Sequence, residues 1–278
     1  MGLRINTNVP SIAAQRTLSQ TTKMSESVLG KLSSGSRIVS AADDAAGLAI
    51  SEKLKATIKS VNQANRNTND GISLVQTAEG ALNEVSSILI RLRELAVQSA
   101  SDTIGNTERG YTNLEFQSLK EEITRISSVT EFNGQRLLKG EEKKLDIQIG
   151  THNNPLEDRI VYDAQKINAG LEKLGLVEKE IGTKLGAQTS LGVIDTAINE
   201  VSGQRANLGA MQNRLASTSR GLQVMNENLS AANSRIRDTD YAEMTAENTK
   251  LNILTQGGSS VLAQANQSGA VALKLIGS

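Results

Sequence analysis

Two seven-residue repeats constrain what this chain can fold into more than any other feature. The first runs Leu54, Val61, Thr68, Val75, Leu82, Leu89, Ala96, with Thr57, Ala64, Gly71, Ala78, Val85 and Leu92 beside it. The second runs Ile194, Val201, Leu208, Leu215, Leu222, Leu229, Ile236, and every position in it is aliphatic. A strict heptad sustained this far keeps one seam of a helix turned towards a partner. At a rise of ~1.5 Å per residue, each stripe is a rod of roughly 65 Å. Equal stripes on either side of a long insertion predict two helices running antiparallel. A compact bundle would also use such seams, but it rarely needs helices this long.

Composition narrows the functions open to such a chain. Its 278 residues carry 30 Lys+Arg and 30 Asp+Glu, a formal net charge of zero. That balance argues against a protein held on nucleic acid by phosphate neutralisation. Two Phe, three Tyr and no Trp are too few for a base-stacking platform. With no Cys there is no disulfide framework, thiolate zinc site or Cys nucleophile. No stretch approaches the roughly 18 apolar residues of a membrane span. The opening MGLRINTNVP has one Arg and no apolar run behind it, so no cleaved secretory signal is expected.

Local signals place the element boundaries. Ser40-Ala41-Ala42-Asp43 has capping-box spacing, which predicts a helix opening at Ser40 with Asp43 and Asp44 in its first turn. Residues 107–129 predict a shorter helix with Phe116, Leu119, Ile123 and Ile126 on one face. FNGQRLL at 132–138 carries an Asn-Gly turn, and EEKK at 141–144 reads as a solvated turn. Leu145, Ile147 and Ile149 alternate with Asp146 and Gln148, the period of a half-buried strand, and Arg159–Tyr162 is its expected hairpin partner. Residues 164–187 show no readable period.

The two ends carry thinner seams. Pro10 suits the start of a helix whose stripe is Ala14, Leu18, Thr21, Ser25, Val28, Leu32. The C-terminal segment opens with Asp240-x-x-Glu243 and carries Leu251, Leu254, Gly258, Val261, Ala265, Ser268, Ala272, Leu275. These seams are rich in small residues and bury little apolar area, so two such helices alone are marginal in water. They look made to be completed by neighbours.

Catalytic signatures are missing. There is no GxxxxGK[ST] loop, no GxGxxG after a strand and no HExxH. A Ser-His-Asp triad would need His152, the single His, which lies in the polar link THNNPLED and reads as an exposed loop residue. No carboxylate pair has the apolar flanks that raise a pKa. An enzyme is therefore not expected, nor a cofactor or metal site.

Longer strings name a family. INTN at 5–8, LSSGSRIVSAADDAAGLAIS at 32–51, ANRNTNDGISLVQTAEGALNE at 64–84, RLRELAVQS at 91–99, FNGQRLL, RANLGAMQNRL at 205–215 and SVLAQANQ at 260–267 resemble bacterial flagellin, the subunit of the flagellar filament. The resemblance covers most of 1–139 and 190–278. It implies a mainly α fold: a long antiparallel coiled-coil rod of terminal and central helices, with a small β-hairpin region in the middle. The implied domains are a terminal helical core, 1–39 with 240–278, and a rod, 40–239, whose hairpin region spans about 132–187. Only about fifty residues separate the flanks, so the large outer domains of many flagellins are not expected.

The same resemblance implies a secreted, extracellular filament subunit. Its implied partners are copies of itself, a flagellar export chaperone, the type III export apparatus, and the filament cap and hook-junction proteins. It also implies a patch read by the vertebrate flagellin-sensing Toll-like receptor, at Arg91, Leu95 and Glu122. The plain alternative for Arg91 and Glu122 is a solvated helix face with a surface ion pair worth under about 1 kcal/mol. The residues expected to hold the rod are Val61, Val75, Leu82, Leu89, Ile194, Val201, Leu208, Leu215, Leu222 and Leu229. The terminal assembly seam is expected at Leu18, Val28, Leu32, Leu251, Leu254, Val261 and Leu275. Competing readings are a hook–filament junction protein and, from another class, an intracellular coiled-coil adaptor.

Overall fold

A computed structural model describes residues 7–140 and 144–276, with side chains described as far as residue 267 at the C-terminal end. Five helices and four short strands follow in chain order: α1 Val9–Ser34, α2 Ala45–Ala100, α3 Asn106–Val129, β1 Glu131–Phe132, β2 Gln135–Arg136, β3 Leu145–Gln148, β4 Arg159–Tyr162, α4 Lys184–Arg237 and α5 Tyr241–Ile276. The chain divides into two compact units, residues 1–56 with 228–278, and residues 57–227. The division falls inside α2 and α4 rather than at the loops that open them.

Helix starts follow from side chains that accept otherwise unpaired N–H groups. Asn8 precedes α1 and accepts from the Ser11 N–H at 3.2 Å, with Pro10 in the first turn. Asp240 does the same for α5, accepting from the N–H groups of Ala242 and Glu243. The expected opening of α2 at Ser40 is corrected. The helix starts at Ala45, and its cap is Asp44, whose Oδ1 accepts from Gly47 N–H at 2.8 Å. Asp43 lies outside the first turn because its carboxylate is already used. It accepts from Val39 N–H, Ser40 N–H and the Ser40 hydroxyl, closing a turn that aims the chain into α2. Those donors, Ser40 foremost, hold the Asp43 carboxyl below its ordinary range.

In the first unit α1 and α5 run antiparallel. Asn8 donates to the Ala265 carbonyl at 2.8 Å near one end, and Gly35, in the left-handed region at φ 66°, ends α1 beside Tyr241 at the other. The connecting chains meet there: Arg37 N–H donates to the Arg237 carbonyl at 2.7 Å, and Thr239 N–H to the Gly35 carbonyl at 3.1 Å. Ser36 and Asp238 pair as an antiparallel bridge. Glu52 on α2 and Arg237 on α4 form an ion pair in the same unit.

The second unit holds the main core. Val61, Val75, Leu82 and Leu89 on α2 and Ile194, Val201, Leu208, Leu215 and Leu222 on α4 are buried; Leu229, in the first unit, is half-buried. Antiparallel order of α2 and α4 within this unit is fixed by Arg93 against Asp195 at 2.6 Å and by Ser219 donating to Asn65 at 2.8 Å. On α3, Phe116 and Ile123 are buried, with Leu119 and Ile126 half-buried. Arg109 closes the far end of α2: its guanidinium donates to the carbonyls of Ser99 and Ser101 and to Asn106. Helix ends leave carbonyls without partners, and a planar fork of donors satisfies them.

The expected hairpin forms, and the expected Asn-Gly turn closes another, shorter one. Asn133 and Gly134 have φ of 52° and 79°, the two positive values of a type I′ turn, so Phe132 faces Gln135. Leu145 faces Tyr162 and Gln148 faces Arg159 in the second hairpin. It rests on α2 where Gly71 leaves room: a Cβ there would meet the Ile147 side chain at 2.9 Å. The solvated turn expected at EEKK lies, apart from Lys144, outside the described residues. Residues 163–183 form no helix or strand, yet Ala164, Ile167, Ala169, Leu174, Leu176 and Ile181 are buried. Tyr162 is buried too and donates to the Leu137 carbonyl at 3.0 Å, and burial pushes its phenol well above the usual range.

Candidate assembly surfaces

The terminal helices leave apolar surface uncovered. Ala14, Thr17, Leu18 and Thr21 of α1 and Ile253, Leu254, Gly257, Gly258 and Val261 of α5 line an open trough of about 460 Å³. Close approach makes its floor, since a Cβ on Gly258 would stand 3.3 Å from Leu18 Cδ1. Its far bank is aliphatic and open to solvent: Ile253 is 65% exposed, Val261 59% and Leu254 49%.

The terminal seam expected from sequence is therefore split. Val28 and Leu251 are buried, and Leu18 and Leu32 are half-buried. Leu254 and Val261 are not in the seam between α1 and α5. That seam follows Met244, Asn248, Leu251, Thr255, Gly258, Leu262 and Ala265, all buried or half-buried. Leu275 lies outside the residues whose side chains are described. Sequence reasoning places Gly258 on the stripe but misses Ile253 and Gly257. Gly258 opposite Leu18 marks a close approach of the two helices.

On α2 and α3 the residues implied as a receptor patch part company. Arg91 is exposed and paired with Glu94 at 2.9 Å and with Glu115 of α3 at 2.8 Å. Those two carboxylates, Glu94 first, hold its guanidinium more firmly protonated. Glu122 is half-buried, and its partner is Arg125 at 2.6 Å, which holds the Glu122 carboxyl below its usual range. Leu95 is corrected: it is 1% exposed, because it sits one turn beyond Leu92 on the stripe that enters the core. Glu115, the residue that ties Arg91 to α3, carries no signal in the sequence. Ile90 and Val97, two turns apart on the same stretch, are about half exposed.

His152 is exposed, and its Nδ1 lies 3.1 Å from the Thr151 hydroxyl. Among the described residues no group of three His, Cys, Asp or Glu could hold a metal ion, and no helix is long and apolar enough to cross a membrane.

Comparison with known proteins places this architecture. Residues 5–143 match the bacterial flagellin N-terminal helical region, and residues 191–276 match the bacterial flagellin C-terminal helical region. The chain is 46% identical to a flagellin of Halalkalibacterium halodurans, over 98% of this chain and 99% of that one. It is 41% identical to a flagellin of Bacillus subtilis, over 99% of this chain and 100% of that one. The crystal structure of Bacillus cereus flagellin superposes with a TM-score of 0.51 at 30% identity, covering 60% of this chain and 94% of the other. These matches define a helical structural protein rather than an enzyme. Within that class, the chain belongs to the bacterial flagellin family.

Proposed function

We propose that this chain polymerises with copies of itself into the bacterial flagellar filament, and that the trough between α1 and α5 is where neighbouring copies complete one another. The carrying observation is the row Ile253, Leu254 and Val261, exposed beside a floor of small residues. Burying such a side chain contributes about 1.5–3 kcal/mol, so a few of them can offset the ordering of two thinly packed helices. The terminal segments 1–39 and 240–278 then act as the assembly core and 40–239 as the rod. The match along both flanks, to relatives of nearly the same length, favours this reading over a junction protein or an intracellular adaptor.

Family membership supports a reading of export and location. The subunit leaves the cell through the type III export apparatus, escorted by an export chaperone. It joins the filament between hook-junction and cap proteins, outside the cell. For the vertebrate flagellin-sensing receptor, the reachable contacts are Arg91 and Glu122. Capture by the receptor ectodomain should weaken in Arg91→Asp, which reverses a charge at the surface.

The test is assembly of full-length variants. Val261→Asp and Ile253→Asp change exposed positions, so the monomer should melt within about 0.5 kcal/mol of the parent. Both should form few or no filaments by electron microscopy after addition of sulfate, while the parent forms long ones. A chain trimmed to 40–239 should stay helical by circular dichroism and also fail to assemble. Normal filaments from either aspartate variant would remove the trough from the assembly contact.

A further inference from the structure

Residues 176–181 cross the second unit as a turn at 176–179, closed by Lys179 N–H on the Leu176 carbonyl at 3.2 Å, followed by an irregular stretch, and side chains rather than a strand take up most of its remaining backbone groups. Ile181 N–H donates to Asn113 Oδ1 at 2.9 Å, and the Ile181 carbonyl accepts from the Ser99 hydroxyl. The Glu180 carbonyl accepts from Ser190 at 3.4 Å, beside Gly186, where a Cβ would stand 2.7 Å from it. Val177 and Lys179 offer their carbonyls to one ammonium, Lys120 Nζ, at 3.0 Å each. Leu176 and Ile181 are fully buried at the two ends, and Val177 between them is half exposed. Side chains from α2, α3 and α4 thus grip main-chain atoms only.

Lys120 is the unusual member. It is 5% exposed on α3, its Nζ is 5.9 Å from the Phe116 ring centre, and among the described residues no carboxylate lies within ion-pair distance of it. A buried cation held by neutral carbonyls and a ring face is costly unless those contacts stay closed.

We propose that residues 176–181 are a strap that opens and closes on the three-helix face as one unit, with Lys120 as its pin. Local segments held by few contacts open below the free energy of global unfolding. This one has two apolar anchors and no ladder, so it separates from the helices before they separate from one another. Closure strips water from the ammonium, which lowers the Lys120 pKa from its ordinary value; the Glu180 charge on the strap works in the opposite direction. The groups facing the strap from α2 and α4, Ser99 and Ser190, do not titrate. Opening rehydrates Lys120 and restores its ordinary value, so the open form binds the proton more readily. The strap therefore tightens as pH rises through the interval between that lowered value and the ordinary lysine value, because a neutral amine still donates to both carbonyls.

Hydrogen exchange of the intact chain, followed at the Ile181 amide, which Asn113 of α3 holds, and normalised for intrinsic rate, reads this directly. Lys120→Met keeps the stem and removes the donors; it should raise exchange at that amide by roughly tenfold or more, the effect of losing one or two charge-assisted bonds. The amides of Leu89 and Leu92 should not change. Ser99→Ala, which leaves the buried charge alone, should speed the same amide. Strap protection in the parent should increase with pH, and this dependence should vanish in Lys120→Met. Unchanged strap exchange in Lys120→Met, strap and α2 amides exchanging together, or protection that is flat with pH in the parent would each overturn the proposal.

Discussion

At the scale of single residues, burial decides which substitutions matter. Leu215 is fully enclosed in the aliphatic part of α4. An aspartate there would be a buried carboxylate without a partner, costing about 3 kcal/mol or more. A thermal melt of Leu215→Asp should therefore fall well below the parent, and an unchanged midpoint would mean that the α4 seam faces solvent. Exposed charges behave differently. Arg91 with Glu94 and Glu115, and Glu122 with Arg125, are pairs whose side chains are about half in water. Pairs of this kind position surfaces rather than hold a fold. Leu95 shows how a linear motif misleads: in RLRELAVQ it stands one turn from Arg91, yet Leu95 packs into the core while the longer Arg91 side chain reaches solvent.

Helix α2 contains a built-in comparison. Gly80 lies on its exposed face, where an added Cβ would meet nothing within 4 Å, whereas Gly71 is buried under Ile147. Alanine at 80 should raise stability by about 0.5–1 kcal/mol through helix propensity alone. Alanine at 71 gains the same propensity but displaces Ile147, a cost of about 1–3 kcal/mol. Melts of the two variants should move in opposite directions; parallel shifts would mean that the second hairpin does not rest on α2 at that point. Sequence reading succeeds on elements that carry their own signal. The stripes of α2 and α4, the Asn133-Gly134 turn, the 145–162 hairpin and the Asp240 cap are all local in the chain. It fails where the partner is distant. The 163–183 segment has no period because it is a run of turns, and distant side chains, Ser99, Asn113, Lys120 and Ser190, hold the backbone of 177–181. The second row of α5 is misread for a related reason. Leu254 and Val261 are more apolar than Asn248 and Thr255, but the apolar row faces the trough and the plainer one faces α1.

Across the whole molecule, a formal net charge of zero means that copies approach without long-range repulsion. Uncovered aliphatic side chains rather than charges then set the strength of association. That is why the aspartate variants at 253 and 261 should abolish assembly while leaving the monomer intact. The family can be read from sequence because its strings lie on both flanks, where the helices are. Of the proposed assembly surface, Leu18, Leu254 and Val261 can be read from sequence; the pairing that sets them side by side cannot, because it is made by two helices more than two hundred residues apart in the chain.

The joint at Gly35, Ser36, Arg37 and Asp238 has a mechanical consequence. Because α1 and α5 are antiparallel and tied at this one end, a pull that spreads their free ends loads the pair as a zipper. Contacts then fail one after another, from Asn8 against Ala265 back towards the joint, each at low force. A pull along the helix axes in opposite senses instead strains all those contacts at once in shear. A pair of this design peels apart easily from its free ends and resists sliding.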